Sequence, residues 1–265
     1  MGVRTTMFDI KQALQEIAKN HGQAMNSCGG QTQYKCEKCR DTGMVEVDPK
    51  TRTFAKCECR IARESEERLE RSGLAGAIQR QTLESFVTNT PTQRRMKETA
   101  QRYIADVIAS NGQPRRPWLY IGGNPGSGKT HICTAVCGEL LKRNIGVRYM
   151  QWLNEVRRLK ASVNDEDFED LVAPYINIPV LYIDDLMKQK YTQNPVFTEA
   201  DVKIAFTILN ARYIQNKPTI ISTEWDLLNH LLPADEGVFS RVYERCKGYT
   251  VNIERSPQNN FRLSA

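Results

Sequence analysis

The sequence predicts an α/β fold in which helices cover both faces of a parallel β-sheet. Largely apolar runs at residues 118–121, 180–183 and 219–222 alternate with longer segments that have the composition of helices. Strands that are apolar along most of their length are typical of parallel sheets buried between helices. We therefore expect a parallel sheet whose carboxyl-terminal edge carries the functional site.

Composition sets the broad class of protein. The chain has 265 residues, of which 40% are hydrophobic, so it is long enough for one or two domains with a sizeable core. No apolar run reaches the length of a membrane span, and residues 1–30 lack the apolar centre of a signal peptide. We expect a cytoplasmic protein without a membrane partner. The net charge of +6 permits contact with nucleic acid but does not establish it.

Residues 123–130 form a complete G-x-x-x-x-G-K-[ST] phosphate-binding loop between a predicted strand and a predicted helix. Backbone N–H groups of such a loop wrap a polyphosphate, and the positive end of the helix dipole adds to the attraction. We expect Lys129 to reach the β- and γ-phosphates and Thr130 to ligate Mg²⁺, which predicts binding of a nucleoside triphosphate such as ATP. The expected nucleotide-binding residues are Gly123, Asn124, Pro125, Gly126, Ser127, Gly128, Lys129, Thr130 and His131.

Two acids follow the apolar strand predicted at residues 180–183. We expect Asp184 to hold Mg²⁺ directly or through water, and Asp185 to orient or deprotonate the water that attacks the γ-phosphate. The strand at 219–222 is followed by Thr223 and Glu224, and a polar side chain there is expected to lie beside the γ-phosphate. Together with the glycine-rich loop, these residues predict a site that hydrolyses ATP.

Arg241 and Arg245 lie four residues apart on one face of a predicted helix. One interpretation is ordinary ion pairing at the surface, which is the usual fate of helix arginines. The other is an arginine finger that reaches the γ-phosphate of a neighbouring subunit, which predicts self-association.

Five of the eight cysteines cluster towards the amino terminus. Cys36 and Cys39 form a C-x-x-C pair, Cys57 and Cys59 form a C-x-C pair, and a predicted hairpin between them would bring the pairs face to face. Four thiolates around Zn²⁺ make a closed, structural site, for which Cys28 is an alternative ligand. Reduced thiols without a metal are the other interpretation. The isolated cysteines are expected to be small core residues, namely Cys133, Cys137 and Cys246.

The order of predicted elements divides the chain into two domains. Residues 1–75 hold an amphipathic helix over 6–25, the cysteine segment and a charged, solvated linker helix over 61–71. Residues 76–265 hold the ATPase domain. Its further predicted elements are helices at 96–110, 130–143, 151–162, 165–174 and 199–216 and a strand at 147–150.

Longer stretches of the sequence resemble the DnaC/DnaI-type replicative helicase loaders, a group of AAA+ ATPases. The resemblance covers roughly residues 34–254. It rests on Tyr34-Lys-Cys-Glu-Lys-Cys-Arg-Asp-Thr-Gly43 with Cys57-Glu-Cys59, on the phosphate loop through His131, on Leu181-Tyr-Ile-Asp-Asp-Leu186, on Asn210-Ala-Arg-Tyr213, on Lys217-Pro-Thr-Ile-Ile-Ser-Thr223 and on Ser240-Arg-Val242. The cysteine arrangement is similar to that of the Gram-positive and phage branch of the group.

The resemblance implies an ATP-dependent loader that binds a hexameric replicative helicase through its zinc module. Such a loader associates with itself on the helicase ring and assists placement of the ring on single-stranded DNA. The implied site residues are Walker A Lys129 and Thr130, Walker B Asp184 and Asp185, a γ-phosphate sensor at Thr223 or Glu224, and the trans arginine Arg241. Two features depart from the wider pattern. Glu224 stands where Asn is usual in the family, and we expect no room after Ile253 for the helical lid of larger AAA+ proteins, which fits the short branch.

Three other functions are open on the sequence alone. An IstB-like transposition ATPase would engage a transposase, although that group generally lacks the cysteine pairs. A zinc-containing small-molecule kinase would need a pocket for a phosphoryl acceptor. A nucleotide-bound adaptor would have the same fold and hydrolyse little ATP.

DNA contact is a separate hypothesis. Basic residues cluster at Arg157, Arg158 and Lys160 on one predicted helix, and at Lys188 and Lys190 after the strand at 180–183. Stacking on the bases of single-stranded DNA would fall to Trp152 or Tyr191. A solvated charged face explains the same cluster equally well.

Overall fold

The computed structural model describes residues 34–71, 75–110, 114, 117–143, 145–188 and 196–263. Two compact units are separated between Thr42 and Gly43. The helix predicted over residues 6–25 lies outside the described residues, as do Cys28, Lys190 and Tyr191. The domain boundary predicted between residues 75 and 76 differs from this division and stays a prediction.

In the first unit, the described residues 34–42 form a tight turn around the C-x-x-C pair. The Asp41 carboxylate accepts hydrogen bonds from the backbone N–H groups of Lys35, at 3.1 Å, and Cys36, at 3.0 Å. The Thr42 N–H donates to the Cys39 carbonyl at 3.0 Å. These bonds tie the Asp41 side chain back to the backbone at the start of the pair and hold the turn between the two cysteines.

The second unit begins with an antiparallel hairpin and a helix. Strand β1 (Met44–Asp48) pairs with β2 (Thr53–Lys56), which confirms the predicted hairpin, and helix α1 (Glu58–Arg71) follows. Ile61 of α1 packs against the core of the α/β region, so α1 is not the fully solvated linker that its charges predict. Ile61 supplies an apolar contact that the charge pattern of the helix does not indicate.

The remaining elements alternate as the sequence predicts, with boundaries shifted by a few residues. They are α2 (Ala75–Arg80), α3 (Pro91–Ala109), β3 (Trp118–Gly123), α4 (Lys129–Leu141), β4 (Val147–Gln151), α5 (Trp152–Ala161), α6 (Phe168–Asn177), β5 (Val180–Asp184), α7 (Glu199–Ile214), β6 (Thr219–Ser222), a π-helical turn (Leu227–Leu231), α8 (Leu232–Ala234), α9 (Glu236–Arg245), β7 (Thr250–Ile253) and a 3₁₀ turn (Pro257–Asn259). Helix α2 and strand β7 are additions to the sequence prediction.

Strands β3 to β7 form one parallel sheet in the order β4-β5-β6-β3-β7. The predicted parallel sheet is therefore confirmed. Because β6 lies between β3 and β5, the carboxyl ends of these three strands stand side by side. The phosphate loop, the acidic pair and the residues after β6 thus meet at one edge of the sheet.

The core lies on both faces of this sheet. Alternate residues of β3 point to opposite faces, with Trp118 and Tyr120 in one apolar cluster and Leu119 and Ile121 in the other. Helices α3 and α4 cover the second cluster, and α5, α6, α7 and α9 cover the first. The isolated cysteines are fully buried, which confirms them as core residues, namely Cys133, Cys137 and Cys246. Among the described residues, no helix is both long and apolar enough to cross a bilayer.

Side-chain caps fix where two of the covering helices begin. Thr90 and Gln93 form a reciprocal capping box at the start of α3, and Pro91 occupies its first turn. Thr198 and Asp201 form the same arrangement at the start of α7. Each box satisfies backbone N–H groups that a helix start leaves without partners.

Arg212 of α7 is a fully buried arginine that satisfies backbone carbonyls of three neighbouring segments. Its guanidinium donates to carbonyl oxygens at the end of α6, before β5 and before β6, which belong to Tyr175, Ile176, Ile178, Pro179 and Pro218. It also donates to Thr219 Oγ1 at 2.9 Å. Burial lowers the pKa of Arg212 to about 9, which leaves it charged at neutral pH.

We predict that Arg212→Ala lowers the free energy of unfolding by about 3 kcal/mol or more, because several buried carbonyls lose their donor at once. Chemical denaturation measures the change. Arg157→Ala removes an exposed arginine from α5 and serves as the control, with an expected change within about 0.5 kcal/mol. Equal effects of the two substitutions would contradict a stabilising role for Arg212.

Candidate nucleotide-binding site

The phosphate loop leaves β3 and enters α4 with the glycine conformations that its motif predicts. Gly123 and Gly126 have φ values of +107° and +73°, in the left-handed region that favours glycine. A Cβ atom at Gly123 would collide with the Ile253 carbonyl oxygen, and one at Gly126 with Oδ1 of Asn260. Gly123 is therefore required by its backbone conformation and by close packing against backbone, whereas Gly126 is favoured by its backbone conformation, since the Asn260 side chain can move aside.

Lys129 is buried at the start of α4, with its amine turned back onto the phosphate loop. Its Nζ donates to the carbonyl oxygens of Gly123, at 2.9 Å, and Asn124, at 2.7 Å. Burial lowers the pKa of Lys129 to about 8, although Glu224 and Asp185 oppose the shift. Both of these hydrogen-bond acceptors are neutral carbonyl oxygens. Charged phosphate oxygens would be stronger partners for the Lys129 amine.

Asp184 is a buried carboxylate that accepts hydrogen bonds from four hydroxyl groups. Oδ1 accepts from Tyr182, at 2.8 Å, from Thr130, at 3.2 Å, and from Ser222, while Oδ2 accepts from Tyr149 at 2.9 Å. Burial and the Asp184 charge raise the pKa of Tyr149 and of Tyr182, so both remain hydroxyl donors. The carboxylate is therefore held in one orientation beside the Thr130 hydroxyl.

The Thr130 hydroxyl and the Asp184 carboxylate fit the requirements of a magnesium site. Both offer oxygen, the ligand type that Mg²⁺ prefers, and both lie at the phosphate loop. Their direct hydrogen bond shows that the two oxygens are close enough to share one ion. These residues could hold Mg²⁺ as the sequence predicts.

Asp185, Lys188 and Glu224 form an ion-paired group beside the loop. Lys188 Nζ lies 2.9 Å from Asp185 Oδ2 and 3.0 Å from Glu224 Oε1. Burial and the nearby Asp184 charge raise the pKa of Asp185. Burial alone would lower the pKa of Lys188, but its hydrogen bonds with the two acids outweigh burial and raise it.

A cavity of about 290 Å³ joins the phosphate loop to this group. Predicted site residues that line it are Gly126, Ser127, Gly128, Lys129, Thr130, His131, Asp185 and Glu224. Four further lining residues were not predicted as part of the nucleotide site, namely Gln81, Lys188, Phe261 and Arg262. The remaining predicted loop residues lie just outside the cavity lining, namely Gly123, Asn124 and Pro125.

Of the two sensor candidates, the structure places only Glu224 in the cavity. Thr223 is fully buried, and its hydroxyl donates to the Leu186 carbonyl at 2.7 Å and accepts from the Trp225 N–H at 3.2 Å. These bonds tie the end of β6 to the turn after β5. Thr223 therefore supports the backbone around the site, and Glu224 is the side chain that faces the cavity.

Arg241 and Arg245 of α9 lie away from this cavity and have different surroundings. Arg245 donates to Asn216 Oδ1 and to the Tyr213 carbonyl, both at 3.0 Å, and stacks on the Tyr213 ring. Among the described residues, Arg241 hydrogen-bonds to the Gly237 carbonyl of its own helix, and its guanidinium lies 5.2 Å from the Phe206 ring centre and 5.8 Å from the Tyr213 ring centre. Arg245 is thus held by hydrogen bonds to residues outside its own helix, whereas the hydrogen bond of Arg241 lies within that helix.

Two segments that were not predicted cover the phosphate loop. His131 lies within hydrogen-bond distance of Ser85 Oγ, at 3.2 Å, and of the Thr82 carbonyl, at 3.1 Å, which fixes the turn after α2 over α4. After β7, the Phe261 N–H donates to the Gly126 carbonyl at 3.0 Å. Such contacts join residues far apart in sequence, and no local motif marks them.

The four predicted cysteine ligands come together. The Sγ atoms of Cys36, Cys39, Cys57 and Cys59 all lie within 4.8 Å of one another, and three of the four side chains are buried. Arg63 donates to Cys59 Sγ at 3.1 Å, and a neighbouring cation favours the thiolate form that binds metal. Four sulfur ligands at this spacing fit a closed tetrahedral metal site.

The basic cluster predicted to contact DNA is largely occupied by ion pairs. Arg158 pairs with Glu155 at 3.2 Å, Lys160 pairs with Asp201 at 2.7 Å, and Lys188 belongs to the cavity described above. Trp152 is 1% exposed because it packs in the core, so the prediction that it stacks on a base is wrong. Within the described part of that cluster, Arg157 is the residue left at the surface without an ion pair of its own.

Comparison with known proteins identifies the family. The profile of the family described as "IstB-like ATP binding protein" matches residues 57–232, which is more than half of the chain. The chain belongs to the IstB-like ATP-binding family. An uncharacterized protein of Bacillus subtilis strain 168, YqaM, is 31% identical over 216 residues, which cover 80% of this IstB-like protein and 67% of YqaM.

Two further comparisons concern the sequence of nearly the whole chain and the fold of about two-thirds of it. The phage-like element PBSX protein XkdC of Bacillus subtilis strain 168 is 28% identical over 269 residues, covering 97% of the IstB-like protein and 98% of XkdC. The crystal structure of the DnaC helicase loader matches with a TM-score of 0.54 at 22% identity, covering 67% of this chain and 98% of that one. The AAA+ fold implied by the sequence resemblance is confirmed.

We predict that ATP affinity falls about tenfold between pH 7 and pH 9, because phosphate binds the protonated amine and the pKa of Lys129 in the nucleotide-free protein is about 8. Below about pH 7 nearly all of the amine is charged, and the affinity is expected not to change with pH. Titration with a fluorescent ATP analogue across this range measures the effect. Lys129→Arg keeps its charge throughout and is expected to lose the pH dependence, whatever its absolute affinity. A wild-type ATP affinity that stays constant between pH 7 and pH 9 would contradict the prediction.

Proposed function

We propose that this IstB-like protein is an ATP-dependent loader that binds a hexameric replicative helicase and assists its placement on single-stranded DNA. The observation that carries the proposal is the presence of an assembled ATP site and a four-cysteine cluster in one chain. The fold shared with a DnaC helicase loader supports it. A cytoplasmic location and self-association on the helicase ring belong to the same proposal.

ATP hydrolysis in this proposal uses residues already positioned around the cavity. Lys129 exchanges its two loop carbonyls for phosphate oxygens, and Thr130 turns from Asp184 towards the metal site. Mg²⁺ bound by Thr130 and Asp184 would neutralise charge on the β- and γ-phosphates. Asp185 accepts the proton of the attacking water, and Glu224 faces the γ-phosphate.

Arg241 is the proposed arginine finger. It is half-buried on α9, and its single hydrogen bond is to a carbonyl of the preceding helical turn. Extension of this side chain towards the cavity of a second copy would add a positive charge to the γ-phosphate at the transition state. Arg245 is excluded from the role by its bonds to Asn216 and Tyr213.

Zn²⁺ is the proposed ion of the four-cysteine cluster. Four sulfur ligands in a tetrahedral set favour zinc, and no position remains for substrate. In the proposed division, residues 1–75 with this cluster bind the helicase, and residues 76–265 bind and hydrolyse ATP. Metal binding would supply much of the folding free energy of so small a segment.

A second candidate is a nucleotide-bound adaptor with little hydrolysis. The observation that favours it is the ion pairing of Asp185, because the hydrogen bond from Lys188 opposes the rise in pKa that burial and the Asp184 charge give this carboxylate. Steady-state ATPase activity, measured beside ATP affinity and with helicase and DNA added, separates the two. A transposition ATPase, which the family description also allows, would retain a transposase instead of a helicase in the same binding experiment.

We predict that Lys129→Ala weakens ATP binding by about 100-fold or more, since it removes the charged partner of the phosphates, yet leaves helicase binding largely intact. Nucleotide titration and co-purification with the helicase of the source cell measure the two properties. Lys142→Ala removes an exposed lysine from the far end of α4 and is the control for lost charge. Simultaneous loss of both properties in Lys129→Ala would contradict the two-module division.

A second prediction concerns the cysteine cluster. The full-length protein is expected to contain about one zinc per chain, and the Cys36→Ser/Cys39→Ser variant to contain none and to lose helicase binding while still binding ATP. Elemental analysis, co-purification and nucleotide titration give the three readouts. Cys133→Ala, which changes a buried core cysteine outside the cluster, is expected to keep its zinc. A zinc-free wild-type protein that still bound the helicase would refute the metal's role.

A further inference from the structure

Lys188 is a cation inside the nucleotide cavity that the phosphate-loop motif does not account for. Its Nζ bridges Asp185 and Glu224 with two contacts of about equal length, 2.9 and 3.0 Å. Lys188, Asp185 and Glu224 all line the cavity together with Lys129. The side chain of Lys188 is about one-third exposed, so its amine has access to whatever enters.

The turn that carries Lys188 is fixed by the fold. The Leu186 N–H donates to the Ser222 carbonyl at 2.9 Å, and the Trp225 indole donates to the Met187 carbonyl at 2.9 Å. Asp185 and Met187 have φ values of +56° and +59°, which cost free energy for non-glycine residues and persist only under such constraint. The folded backbone therefore places the Lys188 amine between the two acids.

The charge of Glu224 creates the need for this lysine. A carboxylate beside the γ-phosphate repels it, and in a partly buried site the repulsion is only weakly screened. ADP has no γ-phosphate and would meet this repulsion far less. A positive charge held against Glu224 removes the obstacle, and when the triphosphate enters, its γ-oxygens become a third set of acceptors for the same amine.

We propose that Lys188 senses the γ-phosphate: its bridge to Glu224 and Asp185 makes the cavity selective for ATP over ADP. The inference rests on the proposed ATP site and adds a residue to it. During hydrolysis the water oxygen bonds to the γ-phosphorus, the bond from phosphorus to the β–γ bridging oxygen breaks, and ADP leaves with that electron pair. The water proton passes to Asp185, while Lys188 remains on the γ-phosphate oxygens as their charge develops.

A double-mutant cycle on the full chain tests the proposal, with dissociation constants for Mg·ATP and Mg·ADP measured by displacement of a fluorescent nucleotide. In Lys188→Ala, ATP affinity is expected to fall about tenfold or more and ADP affinity to change by less than about threefold. In Lys188→Ala/Glu224→Gln the repelling charge of Glu224 is gone, and ATP affinity is expected to be about threefold or more higher than in Lys188→Ala, while staying below wild type because the γ-phosphate still lacks the Lys188 amine. Lys188→Arg keeps the charge and is expected to keep the preference for ATP.

Two results would overturn the role of Lys188. One is an unchanged ratio of ATP to ADP affinity in Lys188→Ala, whether both affinities fall together or neither falls. The other is a double variant that binds ATP no better than Lys188→Ala, because the lysine would then act independently of Glu224. Failure of the wild-type protein to bind either nucleotide would instead refute the ATP site itself, so the two failures are distinguishable.

Discussion

The Asp184 carboxylate joins the parts on which the nucleotide site depends. Its four hydroxyl partners come from β4, β5, β6 and the first turn of α4, which are Tyr149, Tyr182, Ser222 and Thr130. The carboxylate therefore cannot be oriented until three neighbouring strands are paired and the phosphate loop has turned into its helix. Because charge-assisted hydrogen bonds are stronger than neutral ones, this group couples completion of the sheet to formation of the metal site.

The strand order brings an acid and a lysine together at the site. With β6 between β3 and β5, the residues after β6 must face both the phosphate loop and the turn after β5. A neutral side chain would be the simplest occupant of that position, yet this chain has Glu224 there and Lys188 opposite it at 3.0 Å. Glu224 and Lys188 neutralise each other. If either residue were absent, the other would be left as an unpaired charge in a partly buried cavity.

The sequence predicts those parts of the fold that local patterns encode. The phosphate loop, the apolar strands, the hairpin and the grouping of four cysteines follow from spacing within short segments, and the structure has them all. Strand β7 and the Phe261 contact with Gly126 depend on pairing with segments more than 100 residues away, which no local pattern shows. The sequence groups Lys188 and Trp152 with DNA-binding residues, whereas Lys188 lines the cavity and Trp152 lies in the core. Residue type alone does not reveal in which direction the folded backbone points a side chain.

Ion pairing inside the cavity also bears on how the nucleotide is used. The Lys188 hydrogen bond at 2.9 Å opposes the rise in pKa that burial and the Asp184 charge give Asp185, so movement of the lysine towards a γ-phosphate would make Asp185 a better proton acceptor. In the proposed mechanism, a trans arginine from a second copy would add transition-state charge beside Arg262, which lines the cavity of the same chain. ATP turnover in that proposed mechanism is slow until a second subunit arrives. That dependence suits the proposed role, in which the bound nucleotide governs binding of a partner, better than it suits a metabolic kinase.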